Sequence, residues 1–246
     1  MNLIVDSGNT LVKLALYEAE SLVGQGSVEQ LTHEAVEEFL AGRSVQRAIL
    51  CSSRGEVEEQ QRVLQAFVGE VVCFDDTTPV PLKNAYQTPH SLGRDRLAAA
   101  VGAAGHYPNR NLLVVDFGTA ITIDFVTADG TYQGGVISLG MQSRFRALHD
   151  YTHSLPLCAP TCDAKLQGLT TEEAICQGVM NSIAFEIEGY IARMEQKFDD
   201  LCVIFTGGDA KYFVKRIKNT IFANWNLVFD GLNRILTDHV GKENRD

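Results

Sequence analysis

The sequence predicts an α/β protein built from two similar lobes. Short apolar runs alternate with helix-like patterns along the chain of 246 residues. With 45% hydrophobic and 21% charged residues, the composition is that of a folded globular protein. A strand-like run ending in Asp6-Ser7-Gly8 is followed 110 residues later by another ending in Asp116-Phe117-Gly118. Two similar units this far apart predict duplicated lobes with a cleft between them, since solenoid repeats recur every 20 to 50 residues or so.

The N-terminal lobe, residues 1–110, is predicted to open with a meander of three strands. Each strand is a short apolar or alternating run bounded by Gly-Asn or acidic turns. A helix follows with Thr32 as its N-cap, because a threonine hydroxyl can accept a hydrogen bond from the first helical turn. The predicted elements are strands 3–5, 11–17 and 21–28, the Thr32-capped helix, strand 48–51, helix 57–67, strand 71–74, a proline-containing loop over 77–89 and a small-residue helix over 92–104.

The C-terminal lobe, residues 111–246, is predicted to repeat the meander with strands 112–116, near 121–126 and 132–137. A long helix over 171–197 is indicated by apolar residues such as Ile175, Val179 and Ile183. These apolar positions extend over more than one stripe of the helix, which predicts a second covered side and hence a homodimer. A strand over 201–205 and a further helix, strand and helix complete the lobe.

The charge balance disfavours nucleic acids and membranes as partners. The chain has 31 acidic and 21 basic residues, a formal net charge of -10, and such a surface repels phosphate backbones and anionic lipids. The first residues lack the basic flank and apolar run of a signal peptide, and no run reaches the roughly 18 apolar residues of a membrane helix. We therefore expect a cytoplasmic protein.

The six cysteines are predicted to be reduced, because most of them fall inside apolar runs. One cluster could in principle bind zinc. A Leu-Pro pair interrupts this segment and no Cys-x-x-Cys motif is present, so we favour unrelated polar and core roles. The four candidate ligands are His149, His153, Cys158 and Cys162.

The turn after Asp6 has the chemistry of a phosphate site. A carboxylate at a strand end could hold hydrated Mg²⁺, while Gly8 and the residues after it donate N–H groups and Lys13 neutralises charge. An ordinary Asx-type hairpin would explain this motif equally well when taken alone. The matching turn from Asp116 to Thr119 favours phosphate, because two unrelated turns have no reason to match.

A third signal is Gly207-Gly208, where an apolar run ends in two glycines before a helix. Glycine allows close backbone approach, which suits the nucleoside end of a nucleotide, although a tight strand-to-helix turn is an equally good explanation. The two Asp-x-Gly hairpins and this late turn resemble the superfamily of acetate and sugar kinases, chaperone ATPases and actin. The resemblance implies a duplicated ribonuclease-H-like (actin-like ATPase) fold, in which each lobe has a mixed sheet flanked by helices.

The segment from Gly93 to Arg96 places an acid at the start of an alanine-rich helix. The positive helix end and the neighbouring guanidinium would let Asp95 accept a proton beside a bound carboxylate. The alternative is a solvated pair of opposite charges. This segment and several others occur in the order and spacing of type III pantothenate kinases, a family that the chain resembles over essentially its whole length. The matching segments are 6–13, 88–96, 115–124, 134–135, 155–156, 170–172 and 206–209.

The resemblance implies a role for each matching residue. Asp95 would be the catalytic base, Asp116 would bind a monovalent cation, K⁺ or NH₄⁺, and Asp6 would hold Mg²⁺. Thr171 would reach pantothenate across the interface of a homodimer. The implied ATP-binding residues are Asp6, Ser7, Gly8, Asn9, Thr10, Leu11, Val12, Lys13, Thr119, Gly207 and Gly208. The implied pantothenate-binding residues are Tyr86, Gly93, Arg94, Asp95, Arg96 and Thr171.

The implied function is ATP-dependent phosphorylation of pantothenate to 4'-phosphopantothenate, the first step of coenzyme A biosynthesis. A catalytically silent, nucleotide-binding regulatory protein of the same fold is one alternative, disfavoured because such a protein would not need Asp95. A kinase for another small hydroxy acid is a second alternative, since pocket shape decides between similar acids. One departure from the family is visible: Leu139 stands where the family commonly has a proline before Gly140.

Overall fold

A computed structural model describes residues 1–53, 55, 57–161, 163, 165–217 and 221–243. The chain forms two compact units. The first contains Met1–Pro108, Gly130–Tyr132 and Asn226–Asp246, and the second contains Asn109–Asp129 and Gln133–Trp225. The end of the chain thus belongs to the first unit, whereas the sequence division at 110 placed it in the C-terminal lobe. The functional division into lobes 1–110 and 111–246 stays a prediction.

The first unit is organised around a five-stranded sheet of order β3-β2-β1-β4-β5. The three strands of the predicted meander pair in antiparallel fashion, and the other two extend the sheet in parallel. Thr32 Oγ1 accepts a hydrogen bond from Ala35 N at 3.2 Å, which confirms the predicted cap. The elements are β1 (Asn2–Ser7), β2 (Val12–Glu18), β3 (Ser21–Val28), α1 (His33–Leu40), β4 (Arg47–Ser52), α2 (Val57–Gln65) and β5 (Glu70–Cys73).

The segment after β5 differs from the prediction in two places. The proline-containing loop includes a two-residue strand, β6 (Lys83–Asn84), which pairs with Thr131 and Tyr132. A 3₁₀ turn over Pro89–Ser91 precedes α3 (Arg94–His106), so this helix starts two residues later than predicted. Gly93 is its N-cap, with a non-helical ψ of 126°, and this excludes Leu92 from the helix.

The second unit repeats the topology of the first. Its strands are the first five of a six-stranded sheet of order β11-β10-β7-β8-β9-β6, in which an antiparallel pair (β7, β8) is extended in parallel by β10 and β11. The long predicted helix is confirmed, whereas α4 lies in a segment for which the sequence analysis predicted no element. The elements are β7 (Asn111–Phe117), β8 (Ala120–Val126), β9 (Thr131–Leu139), α4 (Met141–Asp150), α5 (Thr171–Glu195), β10 (Leu201–Thr206) and β11 (Ile221–Ala223).

The last helix, α6 (Leu227–Glu243), packs against α3 in the first unit. Glycine permits the close approach: a Cβ on Gly102 would lie 2.2 Å from the carbonyl oxygen of Leu227, and one on Gly231 would lie 1.8 Å from that of Ala98. The polar residues of α6 add specific contacts, because Asp230 accepts a hydrogen bond from the Tyr17 hydroxyl at 2.6 Å. The small residues of α3 are thus explained by a helix that begins 121 positions after α3 ends.

Each unit has its own apolar core. In the first, β1 and β2 contribute Leu3, Val5 and Leu14, which pack with α1 and α2. In the second, the inner face of α5 covers the sheet through Ile183, Ile187 and other residues. No helix among the described residues is long and apolar enough to cross a membrane.

The cysteines that the structure describes are free, as predicted. They are Cys51, Cys73, Cys158, Cys176 and Cys202, while Cys162 lies outside the described residues. In the zinc candidate cluster, His149 Nδ1 lies 2.9 Å from the carbonyl oxygen of Leu155.

Candidate functional site

The first hairpin holds a buried carboxylate at the end of β1. Asp6 is only 9% exposed and pairs in register with Lys13 on β2 and Cys51 on β4. Burial raises the pKa of Asp6 to about 6; the Lys13 charge opposes the shift and the charge of Asp95 adds to it. The turn itself is closed by Gly8 N donating to the carbonyl oxygen of Leu11 at 3.2 Å. The structure therefore brings the predicted residues Asp6, Lys13 and Asp95 within electrostatic reach of one another.

Ser7 and Val12, two of the predicted ATP-binding residues, are buried at the base of this hairpin. The Ser7 hydroxyl accepts a hydrogen bond from Gln60 Nε2 at 2.8 Å, and its carbonyl oxygen accepts one from Ser53 N at 3.0 Å. Gln60, on α2, is itself buried and its Oε1 has no hydrogen-bond partner. Sequence reasoning missed Gln60, because a glutamine in an amphipathic helix gives no sign that it faces a hairpin 53 residues away.

The tip of the hairpin consists of Asn9, Thr10 and Leu11, all exposed. Lys13, one strand position beyond Val12, is exposed as well. The alternation along β2 thus buries Val12 and presents Lys13 to solvent. These exposed groups and the Gly8 backbone are the part of the predicted phosphate site that a ligand can reach.

Asp95 stands exposed in the first turn of α3. Its Oδ1 accepts a hydrogen bond from Arg96 N at 2.8 Å, and a Cβ on Gly93 would lie only 2.7 Å from the same oxygen. With glycine at the N-cap the carboxylate keeps this position, whereas a side chain at residue 93 would require it to shift. The N-terminal N–H groups of a helix favour a negative charge, so this position suits an ionised base.

Arginines flank Asp95 on both sides but point to different partners. Arg96 is 6% exposed and its Cζ lies 5.9 Å from the ring centroid of Tyr86, within the range of a cation–π contact. Arg94 Nη2 donates to the carbonyl oxygen of Pro89 at 3.0 Å. The structure therefore groups Tyr86, Arg96 and Asp95 and gives Arg94 a second task in bracing the 3₁₀ turn.

The second hairpin places Asp116 against Gly207. Asp116 is in register with Thr206 at the end of β10, and a Cβ on Gly207 would lie 2.3 Å from Asp116 Oδ1. Gly207 has a φ of +88°, a conformation that glycine adopts without strain. Gly208 is exposed and has open space beside it. The two strand-end motifs found in the sequence are thus neighbours in space.

Thr119 forms the exposed tip of the second hairpin, and α4 supports its backbone. The Thr119 carbonyl oxygen accepts hydrogen bonds from Gly140 N at 3.0 Å and from Ser143 Oγ at 2.8 Å. A Cβ on Gly140 would lie 2.1 Å from the carbonyl oxygen of Gly118, so this contact requires glycine. The N-terminus of α4 is therefore packed directly against the turn.

Thr171 is the exposed first residue of α5. Thr170 caps this helix by accepting a hydrogen bond from Glu173 N at 3.2 Å. Several large apolar side chains of the second unit are exposed, and three of them lie on β9 and α5: Ile137 (65%) and Leu139 (56%) on β9, and Phe185 (57%) on α5. We call these three residues the apolar face.

The residues of the first hairpin fit a metal ion that is coordinated partly by the protein and partly by a bound nucleotide. A buried carboxylate whose pKa is raised, such as Asp6, has a charge that lacks full compensation and would gain from a bound cation. Among the described residues, no group of three His, Cys, Asp or Glu side chains could hold a metal alone. Mg²⁺ commonly uses one or two carboxylates together with water and substrate phosphates. Asp6 is thus a suitable protein ligand for Mg²⁺ that arrives with a nucleotide.

Comparison with known proteins agrees with the architecture and with the motifs. A Campylobacter jejuni protein described as a Baf family transcriptional activator has a TM-score of 0.65 at 20% identity, with 97% of this chain and 99% of its own covered. A Sinorhizobium meliloti protein described as a 2-dehydro-3-deoxygalactonokinase has a TM-score of 0.60 at 13% identity, with 99% of each chain covered. These two similarities concern the fold alone, and with the repeated strand order they support the duplicated, actin-like ATPase fold.

The sequence comparisons are closer. The model of the type III pantothenate kinase family matches residues 2–193. The type III pantothenate kinase of Azobacteroides pseudotrichonymphae is 42% identical over 236 residues, which cover 96% of each chain. By its sequence, its fold and the grouping of its motif residues, the chain belongs to the type III pantothenate kinase family.

Proposed function

We propose that the chain phosphorylates the primary hydroxyl of pantothenate with ATP, giving 4'-phosphopantothenate for coenzyme A synthesis. The observation that carries this proposal is the pairing of an exposed Asp95 at a helix N-terminus with the buried Asp6 of the first hairpin. One carboxylate can then take the proton of a hydroxyl, and the other can hold the metal of the nucleotide. Phosphoryl transfer mostly requires positioning and electrostatic stabilisation, and both are supplied by these groups.

Each motif has a separate task in this proposal. Asp95 orients and deprotonates the hydroxyl, while Arg96, held beside Tyr86, attracts the pantothenate carboxylate. Gly93 leaves space for the base. The first hairpin binds phosphoryl oxygens through Gly8, Asn9 and Thr10, with Lys13 as a nearby positive charge. Bound Mg²⁺ would neutralise the developing phosphoryl charge.

The second hairpin would serve the nucleotide as well. We assign Thr119 to the phosphates and Gly207 with Gly208 to the nucleoside, where the backbone leaves room for close approach. Asp116 would repel a polyphosphate unless its charge were neutralised, so we assign it a monovalent cation, K⁺ or NH₄⁺. With Mg²⁺ and ionic strength constant, we expect the activity to collapse when K⁺ is replaced by Na⁺. Unchanged rates without K⁺ would contradict the cation site.

We further propose that the chain acts as a homodimer through the apolar face. Exposed large apolar side chains that lie together mark association sites. The hydrogen bonds of Arg144 to Ser138 and to Ser182 connect the strand end that carries Leu139 to the helix that carries Phe185. Thr171, at the start of the same helix, would then contact pantothenate in the neighbouring protomer. The free cysteines support a reducing, cytoplasmic location.

The decisive experiment is an assay of ADP release by the purified chain, with pantothenate and a panel of other small hydroxy acids. We expect turnover that depends on pantothenate and on Mg²⁺. Turnover with another acid and none with pantothenate would favour a different substrate. Nucleotide binding without turnover on any acid would favour the regulatory alternative.

A further inference from the structure

The guanidinium of Arg144, on α4, joins three segments of the second unit. Its Nε donates to the carbonyl oxygen of Leu139 at 2.8 Å and its Nη2 donates to Ser138 Oγ at 2.7 Å, so two bonds hold the end of β9. On α5, its Nη1 donates to Ser182 Oγ at 3.1 Å and its Nη2 pairs with the Glu186 carboxylate. The Arg144 side chain is only 18% exposed, and its bonds to Ser138 and Glu186 are partly buried.

The residues between these bonds are the ones that support the Thr119 turn. Gly140 N and Ser143 Oγ both donate to the Thr119 carbonyl oxygen. Because the peptide group is planar and trans, the carbonyl of Thr119 and the N–H of Ala120 point in opposite directions. Any movement of residues 140–143 would therefore redirect the N–H groups of the turn.

The last residue of this strand is itself weakly restrained, although the buried Met141 follows two positions later. Leu139 lacks the fixed φ of a proline and leaves 56% of its side chain exposed, so neither ring geometry nor packing fixes it. The hydrogen bonds from Arg144 restrain the backbone at this point. They also connect it to α5, a helix of 25 residues packed on the core of the unit.

We propose that Arg144 is a positioning residue for the second phosphate turn. It fixes residues 138–140 against α5, so that Gly140 and Ser143 hold the Thr119 carbonyl and orient the turn toward the nucleotide. This inference rests on the proposed function of the turn. Arginine is needed because its planar fork supplies five N–H groups, whereas a lysine ammonium supplies three donors at a single point.

The first test replaces Arg144 by lysine or methionine and measures kcat and both KM values. We expect KM for ATP to rise about ten-fold or more, as for the loss of hydrogen bonds to a charged group, while KM for pantothenate stays within about two-fold. The matched control is Arg146→Met, which removes an exposed arginine from the same helix and should change neither KM. A parallel rise in both KM values with a lower Tm would show a merely structural role and overturn the proposal.

The second test asks whether a rigid backbone can replace the arginine. Since Gly140 N bonds to Thr119 and N–H directions alternate along a strand, Leu139 N–H points away from β8. A proline at 139 therefore removes no hydrogen bond to β8 and fixes φ. Leu139→Pro should restore part of the ATP affinity of the Arg144→Met variant, with the oligomeric state checked by light scattering. No restoration would contradict the proposed restraint.

If Arg144→Met fails to fold, Ser143→Ala carries the test, because it removes one bond to Thr119 and leaves the arginine network intact. We expect a higher KM for ATP in this variant at nearly unchanged Tm, and an unchanged KM would overturn the proposal. The wild-type protein separates the two levels of inference. If it phosphorylates pantothenate and the Arg144 variants keep its KM for ATP, only the role of Arg144 fails. If wild type shows no such activity, the proposed function itself fails.

Discussion

At the scale of single residues, Asp6 is a carboxyl group in a buried position that disfavours its charged form. Its folded pKa of about 6 exceeds the ordinary 3.8, so folding favours the protonated carboxyl. The stabilising contribution is therefore complete below about pH 4 and is lost as the pH rises through 6. At pH 8 the free protein is destabilised by at most about 3 kcal/mol through this group.

We therefore expect Asp6→Asn to raise the free energy of unfolding at pH 8 and to leave it nearly unchanged at pH 4, while kinase activity is lost. Urea unfolding at the two pH values measures the difference. Asp76→Asn, which removes an exposed carboxylate from the same unit, is the charge-matched control. Equal effects of Asp6→Asn at both pH values would contradict a raised pKa of Asp6 in the folded protein.

Asp95 differs from Asp6 in its surroundings, because it is exposed and lies at the N-terminus of a helix. Asp95→Asn should keep the fold and the binding of ATP and pantothenate, since the amide is nearly isosteric. Turnover should fall by about a hundred- to ten-thousand-fold, the usual contribution of a general base. Steady-state kinetics together with calorimetric binding provide the measurement, and retention of more than half of kcat would show that Asp95 is not the base.

The residues of the candidate site are predicted from local motifs and stay predictions, and most of the contacts that the structure gives them could not be predicted from the sequence. Asp6, Asp95 and Asp116 stand in local motifs whose chemistry is readable from neighbouring residues. The partners Gln60 and Arg144 have no such motif, because their importance arises only when the fold brings a helix to a distant hairpin. An arginine in an amphipathic helix looks the same whether it faces water or braces a turn.

At the scale of elements, the ends of β7 and β10 lie side by side, with Gly207 packed against Asp116. Gly207 turns the chain at positive φ and leaves Asp116 its space. Strand β1 has an analogous neighbour in β4, where Cys51 lies in register with Asp6 as Thr206 does with Asp116. Burial, reinforced by the Asp6 and Asp95 charges, raises the pKa of this thiol, which keeps it uncharged beside them.

Gly207→Ala should therefore damage both stability and activity. The left-handed backbone costs an alanine about 1 kcal/mol, and the new methyl group would also collide with Asp116 Oδ1. Gly42→Ala is the control, because Gly42 has a φ of +79° but open space around it. Thermal unfolding should show a clearly larger loss for Gly207→Ala. A loss equal to that of the control would show that the close contacts at this position, with Asp116 Oδ1 and with the Phe117 backbone, carry no weight.

Predictions of elements that have a strong local sequence pattern agree with the structure. Predictions failed for elements whose position depends on tertiary contacts. The meander, α1 with its cap and α5 were predictable from periodicity and capping residues. The start of α3 was predicted two residues too early, because neither Leu92 nor Gly93 shows from the sequence alone whether it lies inside the helix or before it. The helix α4 lacks a side-chain N-cap, since Gly140 is selected for contact with the turn instead.

At the scale of the whole molecule, the apolar face predicts association. In the proposed homodimer, Phe185→Glu would place a charge in the interface, where burial of an unpaired charge is costly. We expect a monomer by light scattering at micromolar concentration, with loss of activity because Thr171 no longer reaches a neighbouring site. Val23→Glu, at a 42% exposed position in the first unit, is the control. A dimeric or fully active Phe185→Glu protein would contradict the proposed interface.

The packing of α6 on α3 has a consequence for how the protein is made. A ribosome releases the N-terminal strands and α3 long before it synthesises α6, so the first unit must wait for the last helix with the glycine-lined surface of α3 uncovered. The second unit, whose segments lie between α3 and α6 in the chain, can assemble earlier. We therefore expect a released chain that ends before residue 226 to protect the second unit from protease while the first remains susceptible, so that the half of the protein encoded first matures last.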